Sequence, residues 1–240
     1  MNELELQTAG EDEGLSRDLG GGGSAADALV VTFGGLSNSV GEIPPFEFGR
    51  VLDRAGPSQK LFLRDHEQAW YHRGVRGVAP DIEGVAAALR AEIDAVDPAR
   101  TVFLGSSAGG YAALLFGSLL GATTIHVFGA QTFVSPTLRV AHRDARWRRP
   151  WLRLLRSGGY RRRYGDLKAT VAAGAGAAGS IVVHYCAADR LDRVHAERLG
   201  AIPAVELRSY PEGGHNVVKH LRDEGRLEPL LAELLAGEPA

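Results

Sequence analysis

The chain has 240 residues, 45% hydrophobic and 23% charged, with a net charge of −2. That apolar share excludes disorder throughout. The charge balance excludes a protein built as a whole to bind nucleic acid, so no nucleic-acid partner is expected, and a single cysteine, Cys186, excludes an internal disulfide or a thiolate metal cluster.

Residues 1–26 read as a flexible tail. Six acids accompany one arginine between Glu3 and Asp18, and Gly20 to Gly23 is a glycine run. The start lacks the apolar core of a secretory signal, and no apolar run approaches the ~18 residues of a membrane span. The expected compartment is the cytoplasm, and the expected folded domain is 27–240.

From Ala28 onward β-rich runs alternate with helical ones. Ala28 to Phe33 (ALVVTF) is continuously apolar, as a strand buried on both faces would be. Leu61 to Leu63 is a shorter strand, followed by Arg64, Asp65 and His66, an exposed loop. Asp81 is a helix cap before Ile82, Val85, Ala86, Leu89, Ile93 and Val96 at helical spacing. Thr101 to Leu104 is a strand and Ala108 to Leu120 a buried helix. Thr123 to Phe128, Ser180 to Cys186 and Ala204 to Leu207 are strands, and His215 to Leu235 is helical with a break at Gly225. This alternation predicts an α/β fold: a mostly parallel sheet with helices on both faces.

About fifty residues separate the strands ending at Phe128 and starting at Ile181, too many for an ordinary crossover. We read residues 131–179 as an inserted helical cap, with VAAGAGAAG (Val171 to Gly179) as a flexible link. Between Arg139 and Lys168 the net charge is +9, which leaves −11 elsewhere. Such a cap is either a solvated basic surface or a lid that attracts anions. In the second case Arg161, Arg162 and Arg163 would bind an anionic substrate. Trp147, Trp151 and Leu152 among the arginines also suit peripheral contact with a membrane surface.

Chemistry is carried by Gly105-Ser106-Ser107-Ala108-Gly109, a G-x-S-x-G run. A predicted strand precedes it and a predicted helix follows, so Ser107 would stand on the tight turn that a nucleophilic hydroxyl needs. The Ala108 N–H, at a helix N-terminus, can face a developing oxyanion. Gly174 to Gly179 also spells G-x-G-x-x-G, but it precedes a strand instead of following one, so no dinucleotide cradle forms. No P-loop or metal-ligand spacing occurs, and neither a metal nor a cofactor is expected.

With this motif the chain resembles the α/β-hydrolase superfamily over about residues 28 to 235. Two further motifs stand in the superfamily's order. Phe33-Gly34-Gly35 follows the first apolar strand, where the resemblance implies an oxyanion loop. Gly34 or Gly35 would supply its second N–H, although Phe33 stands where a histidine is usual. Gly213-Gly214-His215 sits between the last strand and the last helical segment, which implies that His215 is the general base. The acid is expected after SIVVHYC; Asp189, three residues past the strand end, is favoured over Asp192, and either satisfies the order. The sequence shows none of the antiparallel strands that open larger members, which implies a trimmed form of the fold. The runs FLRDHEQAWYHRG and LGSSAGGYAALLFG also resemble a bacterial group of small hydrolases met beside polysaccharide and glycoprotein export genes, a likeness that assigns no substrate.

The resemblance implies a serine hydrolase that cleaves an ester or thioester through a Ser107 acyl-enzyme. The acyl substrate would be a small molecule or carrier-linked, with an anionic group suited to the cap. The same machinery could serve an acyltransferase, and a non-catalytic binding module on this scaffold is the other alternative. The oligomeric state is open.

Overall fold

The computed structural model describes residues 13–20, 28–37 and 42–237. Among the described residues seven strands form one sheet: β1 (Leu15–Asp18), β2 (Ala28–Phe33), β3 (Gln59–Leu63), β4 (Arg100–Ser106), β5 (Thr124–Phe128), β6 (Ser180–Cys186) and β7 (Val205–Tyr210). Their spatial order is β1-β3-β2-β4-β5-β6-β7. All neighbours pair in parallel except β1, which runs antiparallel to β3 with Leu15 opposite Leu63.

The continuous apolar runs follow from a sheet covered on both faces. Leu29, Val31 and Phe33 of β2 enter one core, together with Phe103 of β4 and Ile125 and Val127 of β5. Val30, Val102, Leu104 and Phe128 enter the other. Helices α2 (Ile82–Val96) and α3 (Ala108–Leu120) cover the first face. Helices α1 (Gly49–Ala55), α8 (Val217–Asp223) and α9 (Leu227–Ala236) cover the second. Asp81 caps α2 by accepting the Gly84 N–H at 2.8 Å, and Gly225, at φ +68°, separates α8 from α9.

The segment between β5 and β6 holds α4 (Pro136–Ala141), α5 (Arg148–Arg156) and α6 (Lys168–Gly174); α7 (Arg190–Glu197) follows β6.

Three expectations change here. Residues 15–18, read as tail, form the antiparallel edge strand β1. Leu15 and Ser16 are buried, and the Asp18 carboxylate holds buried Lys60 at 3.2 Å. Of the expected tail, 1–12 and 21–26 lie outside the described residues. The start of VAAGAGAAG is not a flexible link: Val171 and Gly174 are buried in α6, the crossover helix into β6. Asp65 is buried, not exposed. It accepts the N–H groups of Glu67, Ala69 and Tyr71 at 3.1, 2.6 and 2.9 Å, which binds the turn after β3 into one unit. Burial pushes its carboxyl up to about 6 against those hydrogen bonds.

Candidate active site

Parallel strands bring all their carboxyl ends to one edge, and β4 is the middle strand of the seven. Ser107 follows it at φ +54°, ψ −115°, a left-handed conformation costly for a residue with a Cβ. The turn is held on both sides: Ser107 N–H donates to Phe128 O at 2.9 Å, and its carbonyl accepts from Tyr111 and Gln131. Glycine is obligatory at both ends of the motif. A Cβ on Gly105 would lie 2.1 Å from Gly109 O, and one on Gly109 would lie 2.0 Å from Phe33 O.

His215 reaches the same edge from the loop after β7, where Gly213 and Gly214 both have positive φ. Asn216 caps α8 behind it by accepting the Lys219 N–H at 3.0 Å. Ser107 Oγ lies 2.9 Å from His215 Nε2, and His215 Nδ1 lies 2.8 Å from Asp192 Oδ1. A carboxylate can only accept, so Nδ1 carries the proton and Nε2 accepts from the serine hydroxyl. Asp192 is 1% exposed and His215 29%. Burial alone would raise the Asp192 carboxyl, but the bond to His215 and the Arg146 charge hold it below its usual range.

Asp189, the favoured acid, does not reach His215. Its carboxylate caps α7 by accepting the N–H groups of Leu191 and Asp192 at 2.9 and 3.0 Å. With Asp189 at the cap, Asp192 falls in the first turn and faces inward. The signal was present in the sequence, because an Asp at the start of a helical run is a capping residue before it is anything else.

Ala108 is the first residue of α3, in the turn whose N–H groups have no intrahelical acceptor. The two glycines after β2 divide. Gly34 N–H is taken by Leu63 O at 2.8 Å, continuing the β2–β3 ladder, so it is not a donor to the site. Gly35 N–H points to the cleft and donates to Glu47 Oε1 at 2.9 Å. Burial pushes the Glu47 carboxyl up to about 7, partly offset by that hydrogen bond. Tyr71, fixed by the Asp65 turn, donates to Gly34 O at 3.0 Å and shapes this loop from below.

Ser107, His215, Gly35 and Glu47 line a cleft of about 680 Å³, with Trp147 of the insert on its wall. Arg161, Arg162 and Arg163, expected to bind substrate, are exposed and line none of it; the Arg161 backbone N–H bonds His72 Nδ1 at 3.0 Å instead. The cleft's cations are Arg50, Arg54 and Arg222, and Arg54 also pairs with Glu228 at 2.8 Å. Glu47 and Arg146 carry no local sequence pattern, and only long-range packing brings them here. Among the described residues no group of three or more His, Cys, Asp or Glu is placed to hold a metal, and no helix is long and apolar enough to cross a membrane.

No family model matches the sequence, and no curated protein does. Among solved structures the chain is similar to the capsule O-acetyltransferase of Neisseria meningitidis serogroup A, at 16% identity over 91% of this chain and 90% of that one, TM-score 0.66. It is also similar to a mutant of that enzyme in complex with CoA, at 15% identity over 88% and 89%, TM-score 0.63. A third similar structure is an alpha/beta hydrolase enzyme from the metagenome of sediments from the lagoon of Mar Chica, Morocco, at 14% identity over 93% and 94%, TM-score 0.57. Matches of this extent at such low identity speak to architecture, and with the mostly parallel seven-stranded sheet and its flanking helices they establish that this chain has the α/β-hydrolase fold.

Proposed function

We propose that the chain is a serine acyl-transfer enzyme. The observation that supports this reading is the unbroken chain from Ser107 Oγ through His215 to Asp192 at one cleft. In the first half-reaction Ser107 Oγ bonds to the acyl carbon while its proton passes to His215 Nε2. The imidazolium is stabilised by Asp192, and the negative oxygen faces the N–H of Ala108 and, in place of Glu47 Oε1, that of Gly35. Collapse breaks the bond to the leaving thiol or alcohol, which takes the proton from His215. In the second half-reaction an acceptor O–H gives its proton to His215 as its oxygen attacks the Ser107 ester, and Oγ departs with that proton.

The likeness to an O-acetyltransferase, which spans about nine-tenths of both chains, favours a hydroxyl-bearing acceptor. The complex of a mutant of that O-acetyltransferase with CoA favours a thioester donor, and Arg50, Arg54 and Arg222 around the cleft suit a donor carrying phosphates. The similar α/β hydrolase keeps water as the second acceptor reading. Mixing the protein with acetyl-CoA should release free thiol in a burst and add one acetyl group to the peptide containing Ser107. Adding a hydroxyl-rich saccharide should then yield an O-acetylated product. Acetate as sole product, whatever the acceptor, would favour hydrolysis. Failure of thioesters, esters and a fluorophosphonate probe alike to modify Ser107 would leave a binding module.

Glu47 adds a pH dependence to this chemistry. Below about pH 7 its carboxyl is neutral. Above that it is an anion bonded to Gly35 N–H, next to the place where negative charge develops. Activity of the native enzyme should therefore decline above neutrality, while Glu47→Gln, which keeps the shape without the charge, should hold its plateau. At pH 9 the variant's kcat/KM for a neutral ester is expected to exceed the native value by about tenfold, a fraction of what one oxyanion donor is worth. Parallel profiles for the two proteins would remove Glu47 from the oxyanion site.

A further inference from the structure

Helix α7 carries Asp192 and His195 three residues apart, both buried and so on one face. The insert supplies what they meet. His195 Nδ1 accepts the Thr132 N–H at 2.9 Å, so Nε2 carries the ring proton and donates to Asp144 Oδ2 at 3.1 Å. Thr132, His195 and Asp144 have the residue types of another triad. However, the Thr132 hydroxyl lies 3.0 Å from the His195 carbonyl oxygen, to which it donates, and all three side chains are buried away from the cleft. They form a strut.

Arg146 spans the space between the strut and the active site. Its Nη1 donates to Asp192 Oδ1 at 2.7 Å, and Nε and Nη2 lie 3.4 and 3.5 Å from the two Asp144 oxygens. The Arg146 backbone N–H also donates to Asp144 Oδ1 at 2.9 Å. Buried Arg139 donates to the Arg146 carbonyl and lies 3.9 Å from Asp144. One guanidinium thus joins two buried carboxylates, and one of these holds His215.

We propose that Arg146 is a positioning residue for the triad, the means by which the insert fixes the Asp192 carboxylate and through it the His215 ring. The proposal rests on the acyl-enzyme reading above. Asp192 Oδ1 receives both the His215 Nδ1–H and the Arg146 Nη1–H, while Oδ2 has no hydrogen-bond partner among the described residues. Two donors converging on one oxygen stop the carboxylate from swinging, and the imidazole stays aimed at Ser107. The cation has a further effect. Nη1 lies 3.5 Å from His215 Nδ1, and two N–H donors cannot bond each other, so Arg146 opposes the imidazolium that Asp192 favours. The charged and titratable groups around it are Asp144 and Arg139 from the insert, Asp192 and His195 from α7, and His215 from the loop before α8.

Arg146→Ala should lower kcat for a small neutral ester by about 10²-fold, as loosened alignment does, with KM within about twofold. The acidic limb of its kcat/KM profile should move to higher pH, because the repulsion is gone. Arg146→Lys keeps the charge but not the fork. It should leave the limb in place and recover part of kcat. Arg146→Gln keeps a donor without the charge, so it should move the limb with a smaller loss of kcat. If Arg146→Ala fails to fold, these two variants decide alone. Variants that melt earlier yet keep native kcat and an unmoved limb would make Arg146 a structural ion pair and overturn the proposal. Ser107→Ala in the same assay separates the two levels. Activity surviving in that variant would overturn the acyl-enzyme reading, whereas an inactive Ser107→Ala beside native-like Arg146 variants would overturn only the positioning role.

Discussion

Ser107→Ala is expected to abolish turnover and covalent labelling by a fluorophosphonate while leaving the melting temperature close to that of the native protein. The hydroxyl contacts His215 at the mouth of the cleft and packs against nothing in either core. Alanine keeps the Cβ, so the strained backbone at φ +54° is unchanged. Members of a serine triad act as a unit, and a loss on the order of 10⁴-fold or more follows. Ser106→Ala is the control. Ser106 is the last residue of β4, paired with Phe128 of β5, and removing its hydroxyl should leave labelling intact. Labelling lost from Ser106→Ala and retained by Ser107→Ala would place the nucleophile one residue earlier.

The two aspartates after β6 should separate by three orders of magnitude. Asp192→Asn keeps the shape of the side chain but removes the charge that stabilises the imidazolium. It also presents an amide that can fix the wrong tautomer of His215, so kcat should fall roughly 10³- to 10⁴-fold. Asp189→Asn should change kcat by less than about twofold, because asparagine caps a helix about as well as aspartate. Asp189→Ala loses the cap and should cost about 1 kcal/mol of stability, read as a lower melting temperature with kcat largely kept. Steady-state kinetics and thermal melts of the three variants decide the assignment. Equal losses in the two asparagine variants would mean that α7 as a whole, and not Asp192, supports His215.

Stability should follow the same carboxylate. The Asp192 proton affinity is depressed in the folded chain, so its contribution is present above the ordinary carboxylate range and is lost as pH falls through the lower folded value. Asp65 and Glu47 act in the opposite sense. Both are raised by burial, and each favours the folded state less as pH climbs toward about 6 and 7 respectively.

Reading the chain in order goes furthest where the structure is local. The strand, turn and helix around Ser107 are contiguous from Arg100 to Leu120, so apolar pattern and glycine placement determine them without help from the rest of the fold. Gly213-Gly214-His215 is legible for the same reason: a glycine pair between a strand and a helix marks a loop at the sheet edge. The choice between Asp189 and Asp192 lay within reach of a capping rule, yet both stand within six residues of the strand end, and only the phase of α7 separates them.

What tertiary structure alone decided depends on pairs distant in sequence. Leu15 to Asp18 has a weak strand pattern and becomes β1 because the edge of β3 is there to pair with. The insert's exposed arginines suggested an anion lid, whereas the arginine that reaches Asp192 beside His215 is Arg146, drawn inward by Asp144 and Asp192 because a buried carboxylate needs a cation. Glu47 meets Gly35 across a separation of twelve residues whose sequence shows no periodicity. Sequence pattern by itself determined strands β2 to β7 and the turn at Ser107, since apolar runs and turn chemistry act between neighbours. Which aspartate meets His215, the occupant of the Gly35 N–H and the contact from the insert were decided by folding, which alone sets which buried charges must find one another.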